Sequence, residues 1–329
     1  MTPFCLLIRA RDPLHGFVRA FSAAGRHQFD QRVVPRGTGE LRRRANGLNE
    51  MMYALGRSQP EPASEMQRAR DIQRALTASP SAAITGFETR AVFLPAASVG
   101  GDLLDIVSFP DGSVLVAMMD VTGHGVPGAL CTALLRSAIR HLARATDDLA
   151  QIMRDLNREL CDISAAGLFA TALLVRLKPE DEKIEYVSAG HDPPVRIDAE
   201  GRAETLNHAG LLLGVDPSAC CSTAEAELSP DGRLFMFTDG LHEAMSPGGE
   251  QFGRNRLAEL FACTGRLPLD EQLRAVVENV RSFQGRDGFD DDVTVFAVRR
   301  TEPAAAHTAS SRQDGRHRGR VVPCSVRTE

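Results

Sequence analysis

The sequence predicts an α+β sandwich across roughly residues 86–300. Three observations carry this expectation. Strand-like segments outnumber helical ones, the helical segments come in adjacent pairs, and a tight polar turn at Pro110-Asp111-Gly112 joins two neighbouring strands. A fold of βαβ units would instead alternate single helices with single strands.

Taken in order, ETRAVFLPA (88–96) reads as a first strand, and GGDLLDIVSF and SVLVAMMDV as the two strands joined by the turn. VPGALCTALLRSAIRHLARA (126–145) reads as a helix, with Pro127 tolerated in its first turn, and DLAQIMRDLNRELCDI (148–163) as its companion. LFATALLVRL and KIEYVSAG form a further strand pair. RLFMFTDG (233–240) reads as a buried strand ending in an acid. Helices follow near 254–263 and 269–284, and DVTVFAVRR (292–300) closes the domain as a strand.

The 329 residues suit two modest domains, or one with extensions. With 43% hydrophobic and 25% charged residues, a wholly disordered, collagen-like or disulfide-knot chain is excluded. Residues 1–80 carry 13 Arg against 7 acids and residues 301–329 carry 5 against 3, so the middle holds a net charge of −13. Such a balance excludes nucleic-acid binding on overall charge. Clustered carboxylates repel one another, and bound cations are a common way to offset that. Only Lys178 and Lys183 are lysines, so the abundance of Arg reads as a coding bias before it reads as phosphate recognition. Seven scattered Cys without a C-x-x-C fit a reducing cytoplasm.

The ends of the chain differ from the middle. Neither a full membrane span nor a signal peptide is read; FCLLI (4–8), flanked by Arg9 and Arg11, has the texture of the cytoplasmic end of a membrane helix, or of an exposed apolar terminus. Leu41, Ala45, Leu48, Met52 and Leu55 are spaced 4, 3, 4, 3, the seam of a coiled coil, and predict pairing with a second copy of the chain. A further helix is expected after Ser64, with Met66, Ala69, Ile72 and Leu76 on one face. The tail, 301–329, is expected to be disordered.

Four acidic motifs stand at strand ends or tight turns: Gly100-Gly101-Asp102, Asp120 in DVTGHG, Asp239 in TDGLHEA, and Asp290-Asp291-Asp292. A single Asp before Gly is usually a turn residue. Four together supply the oxygen ligands that Mg²⁺ or Mn²⁺ prefers, while His and Cys do not cluster as zinc would require.

In order, VGGD-x-x-D, DVTGHGVPGA, ATALLV, SAGHDPP, LLLG, FTDGLHEA and DDVTVF resemble the bacterial, SpoIIE- and RsbU-like branch of the metal-dependent PPM-type serine/threonine phosphatases, from about Gly86 to Arg299. The resemblance implies an αββα sandwich of two antiparallel sheets flanked by helices. It also implies hydrolysis of phosphoserine or phosphothreonine, often on an anti-sigma factor antagonist. Carried onto this chain, it makes Asp120 the bridge between two Mn²⁺ or Mg²⁺ ions, with the Val121 carbonyl as a further ligand. Asp239 and Asp291 would complete one ion's shell, and Asp102 with Asp105 would serve the other. Asp120 and Asp239 are the candidate catalytic residues. Asp291 is preferred to Asp292 because the family's last metal acid stands three residues before the strand Thr, here Thr294. Two such ions activate water, so no phosphoenzyme and no nucleophilic Cys is implied. Leu103 and Leu104 depart from the aromatics that often follow GGD. His124 is assigned a structural role at a helix start, and His191 a hydrogen-bonded turn.

The segment 12–57, through Pro13-Leu14, GTGEL with Glu40, and the run Asn49 to Leu55, resembles a HAMP signalling module. The predicted organisation is therefore a membrane-helix end at 1–11, a HAMP-like helical extension at 12–57, a linker helix at 58–85, the phosphatase domain at 86–300 and the tail. It would lie in the cytoplasm, at the inner face of the membrane if the chain is part of a longer sensor. Against the phosphatase stand two other readings: a non-catalytic phosphatase fold that sequesters a regulator, and a hydrolase of small phosphate esters. Retention of all four metal acids disfavours the first, and the second needs a deep specificity pocket.

Overall fold

The computed structural model describes residues 84–96, 100–122, 126–163, 169–208 and 210–301. The membrane-helix end, the HAMP-like segment, the linker helix apart from its last two residues, and the tail beyond Thr301 lie outside the described residues.

Ten strands and four helices make up the described elements: β1 Phe87–Leu94, β2 Asp102–Ser108, β3 Val114–Val121, α1 Val126–Ala145, α2 Leu149–Ile163, β4 Ala170–Leu177, β5 Lys183–Ala189, β6 Val195–Ile197, β7 Ala203–Thr205, β8 Ala224–Glu227, β9 Arg233–Phe237, α3 Arg254–Cys263, α4 Leu269–Gln284 and β10 Val293–Arg300. They form two five-stranded sheets, β1-β10-β9-β6-β7 and β2-β3-β4-β5-β8, in which every pairing is antiparallel. The expected sandwich of two sheets flanked by helices is therefore present.

Strand periodicity sorts the side chains into three apolar layers. Along β2 and β3, Leu103, Leu115, Ala117 and Met119 face α1 and α2, where they meet Leu135, Ile139, Ile152 and Leu156. Their neighbours Leu104, Val114, Val116 and Met118 face the other sheet and pack with Leu234, Met236, Phe296 and Val298. On the far side of that sheet, Phe235, Phe237, Val295 and Ala297 pack against Leu257, Phe261, Leu273 and Val276 of α3 and α4. Both sheets are thus buried on two faces, and their central strands read as nearly continuous apolar runs.

The short strands β6, β7 and β8 leave no signature in the sequence. At three or four residues each, VRI, AET and AEAE are too brief to show a period. β6 adds to β9, β7 adds to β6, and β8 adds to β5, so they extend the two sheets at their edges.

Candidate metal centre

The acids converge because of strand parity. Asp102 lies on the same face of β2 as Leu104, and Asp120 on the same face of β3 as Met118, so both point between the sheets. The register pairs Asp102 directly with Asp120, and Asp120 in turn with Thr171 of β4. The opposite sheet ends at the same place. β9 runs into Thr238 and a 3-10 turn, Asp239–Leu241, while β10 is preceded by Asp291 and Asp292. The two sheets therefore bring Asp102 and Asp120 from one side, and Asp239 and Asp291 from the other, to one end of the sandwich.

Two carboxylates tie this end together. Asp102 is 2% exposed, and its Oδ2 accepts the hydroxyls of Thr294 at 2.6 Å and Thr238 at 2.9 Å, both on the opposite sheet. Asp292 is buried and accepts the amides of Ala96 at 2.9 Å and Gly101 at 2.8 Å. This close approach explains two glycines of the motifs. A Cβ on Gly100 would fall 2.0 Å from Asp292 Oδ2, and one on Gly240 would fall 2.2 Å from the Asp292 carbonyl oxygen.

Electrostatics marks Asp120 as the centre of the cluster. Burial, then Asp239, Asp291, Asp292 and Asp192, push its carboxyl up to about 7. Asp102 is held well above the usual carboxylate range, first by burial and then by Asp120, although Thr294 and Thr238 offset part of this. Asp239 is raised by burial, then by Asp291, Glu243 and Asp192. A compact set of carboxylates that raise one another in this way is chemically suited to a divalent cation, whose charge would offset the repulsion. As they stand, no three of the described His, Cys, Asp and Glu side chains form a closed cation cage.

Asp105 does not join the cluster. It stands three residues after Asp102 on the same strand, and successive side chains alternate, so it faces α1 instead. There it is fully buried and held by Arg140 in two bonds of 2.6 and 2.7 Å, with Arg136 at 3.4 Å. The expectation that Asp105 serves a cation is corrected to a buried ion pair that fixes α1 on its sheet. Val121 turns its side chain into the helix-side core, and its amide donates to the Gly101 carbonyl at 3.3 Å. Asp290 is exposed and paired with Arg286. His124 lies outside the described residues.

Three residues beside the cluster were not singled out as site residues by the sequence. Asp192 is buried and places Oδ2 2.9 Å from His242 Nε2 and Oδ1 2.5 Å from Arg254 Nη2. Burial pushes Asp192 up, but His242 and Arg254 more than offset this and hold it below the usual range. Its neighbour His191 lies 2.7 Å, through Nδ1, from the hydroxyl of Thr171, the residue paired with Asp120, and burial lowers its pKa to about 4. The signals available were the Asp in SAGHDPP and the His in TDGLHEA, each two residues after a glycine.

The sequence profile described as Stage II sporulation protein E (SpoIIE) matches residues 110–301, more than half of the chain. The chain belongs to the SpoIIE family. Among its relatives, protein IcfG of Synechocystis is 26% identical over 72% of this chain and 41% of IcfG, and phosphoserine phosphatase RsbU of Bacillus subtilis is 24% identical over 74% of this chain and 72% of RsbU. The chain thus spans well under half the length of the first relative and nearly three quarters of the second. The solved SiaA-PP2C domain of Pseudomonas aeruginosa superposes with a TM-score of 0.65 at 28% identity, covering 74% of this chain and 98% of that one. The SpoIIE profile begins after GGD, so Asp102 and its strand are placed by the fold and not by that match.

Proposed function

We propose that this SpoIIE-family chain is a metal-dependent serine/threonine protein phosphatase of bacterial signalling. The observation that carries this reading is the meeting of Asp102 and Asp120 with Asp239 and Asp291 at one end of the sandwich, with the Asp120 carboxyl pushed up to about 7. Asp120, Asp239, Asp291 and Asp102, with the Val121 carbonyl, are the groups that would hold two Mn²⁺ or Mg²⁺ ions. When bound, such ions supply an activated water and polarise a phosphoryl group.

The chain's own part is to fix those ligands. Asp102 is locked by Thr238 and Thr294, and Asp292 pins the GGD turn through Gly101. Asp239 opens a turn whose first amides, those of His242 and Glu243, return to its own carbonyl, which fixes its backbone at the end of β9. Ligands placed on strand ends cost little reorganisation when substrate arrives.

The substrate we favour is a phosphoserine or phosphothreonine regulator of the anti-sigma factor antagonist type. Support comes from the relatives named phosphoserine phosphatase, RsbU among them. Sequence periodicity supports a homodimer through Leu41 to Leu55. None of the described helices is long and apolar enough to cross a membrane. The test is Mn²⁺-dependent turnover, first of an aryl phosphate and then of a phosphoserine protein. Turnover lost in both Asp120→Ala and Asp239→Ala supports the assignment, and undiminished activity in either overturns it.

A further inference from the structure

We infer that Arg254 is the phosphoryl-binding side chain of this site, seated by the buried Asp192 so that its guanidinium receives the oxygens of the incoming phosphomonoester. The inference rests on the phosphatase reading above.

An acidic cluster repels a phosphate dianion as well as attracting cations, so a positive group at its edge would be useful. Asp192 directly follows His191, whose Nδ1 lies 2.7 Å from the hydroxyl of Thr171, the residue paired with Asp120. It is also the anchor of Arg254, through the 2.5 Å contact to Nη2. On its other side it meets His242, the residue that closes the turn begun by Asp239. Arg254 is therefore joined to the acidic centre through one buried carboxylate. Its side chain is nevertheless 59% exposed. The contact engages one nitrogen of a planar fork that carries five N–H donors, which leaves donors for a second, doubly bonded anion.

Space is present as well. His242, Glu243, Phe252 and Arg254 line an open hollow of about 590 Å³ that begins where the Asp239 turn ends. Arg256 lines it too, but is taken by Glu250 at 2.5 Å and stacks over Phe283. Arg136 and Arg140 hold Asp105 on the helix side of β2, and Arg286 holds Asp290. A surface arginine needs no buried acid to stay on the surface. Sequestering Asp192 between His242 and Arg254 makes sense if the position of the guanidinium matters.

The experiment compares wild type, Arg254→Ala, Arg254→Lys and Asp192→Asn in Mn²⁺, with an aryl phosphate, a phosphoserine peptide and inorganic phosphate as competitive inhibitor. Arg254→Ala is expected to raise KM about tenfold for both substrates and to weaken phosphate inhibition in parallel, with kcat within about threefold. Arg254→Lys should recover part of the loss, since it keeps the charge without the fork. Asp192 is a positioning residue, so Asp192→Asn should show a smaller loss of the same kind. Unchanged KM and phosphate inhibition in Arg254→Ala overturn the inference. So does a KM effect confined to the peptide, which puts Arg254 on the flanking chain. If the wild type turns over neither substrate, the phosphatase reading fails, and calorimetric titration of phosphate into wild type and Arg254→Ala decides the role of Arg254 separately.

Discussion

Thr294 donates its hydroxyl to the Asp102 carboxylate across 2.6 Å, and so joins the two sheets at the end where the acids gather. Its backbone amide donates to the hydroxyl of Thr238, whose own hydrogen goes to Asp102. The two threonines and the aspartate form a closed buried set.

Thr294→Val keeps the shape of the side chain and removes one of these bonds. A buried carboxylate that loses a donor carries most of its desolvation cost, about 1.5–3 kcal/mol for a bond to a charged group. Urea denaturation in a chelator should therefore show a loss of about that size. The bond also lowers the Asp102 pKa, so the variant should need more Mn²⁺ for half-maximal activity. Unaltered stability and unaltered Mn²⁺ dependence together would show that the bond is idle.

Much of this arrangement was legible in the sequence. The four acid motifs each fell where an apolar run meets a glycine, and the structure brings Asp102, Asp120, Asp239 and Asp291 to one end. The helices α3 and α4 match their expected limits because their apolar residues recur every three or four positions over ten residues or more. The resemblance implies a cation for Asp105 as well as Asp102, but Asp105 is bound to Arg140 on the helix side of β2. On a strand, positions i and i+3 face opposite ways, and that parity alone separates Asp105 from Asp102. SAGHDPP and TDGLHEA mark Asp192 and His242 singly, but their contact with Arg254 has no sequence signature, since the three are 12 to 62 residues apart and meet only when β5, β9 and α3 are packed.

Asp120→Asn should stabilise the metal-free protein at high pH. The Asp120 carboxyl is pushed up to about 7 by burial and then by four acids, from about 4 in the unfolded chain. The folded state then binds the proton more tightly than the unfolded one. The resulting penalty is absent below about pH 4, grows as pH rises, and is complete above about pH 7. Three units correspond to about 4 kcal/mol as an upper bound. In a chelator, the variant should exceed wild type by about 2–4 kcal/mol at pH 8 and converge with it near pH 4. Equal stability at both pH values would mean that the acids do not strain one another.

Asp105→Asn separates a structural ion pair from a cation ligand. The carboxylate is fully buried, and its loss leaves Arg136, itself mostly buried, without its acid. Breaking such a pair costs about 3–5 kcal/mol. The variant should lose stability on that scale while its half-maximal Mn²⁺ concentration stays within about twofold of wild type. A tenfold rise in the Mn²⁺ requirement would return Asp105 to the cation site.

The seam Leu41, Ala45, Leu48, Met52 and Leu55 makes a prediction about assembly that the catalytic fold does not. An a/d stripe of this kind buries its apolar side chains by pairing with another helix, and a second copy of the chain is the partner that the repeat fits. A charge in the middle of such a seam cannot be buried without a partner of opposite sign. Leu48→Asp should therefore convert a dimer into a monomer in sedimentation velocity at micromolar concentration. Because residue 48 precedes the stretch matched by the SpoIIE profile, 110–301, aryl phosphate turnover at saturating Mn²⁺ should survive the change. A regulated enzyme would show the difference on its protein substrate, where the rate should shift at least threefold between dimer and monomer. A wild type that sediments as a monomer at every concentration tested, with Leu48→Asp identical to it in rate and mass, would leave the stripe no role in assembly or control.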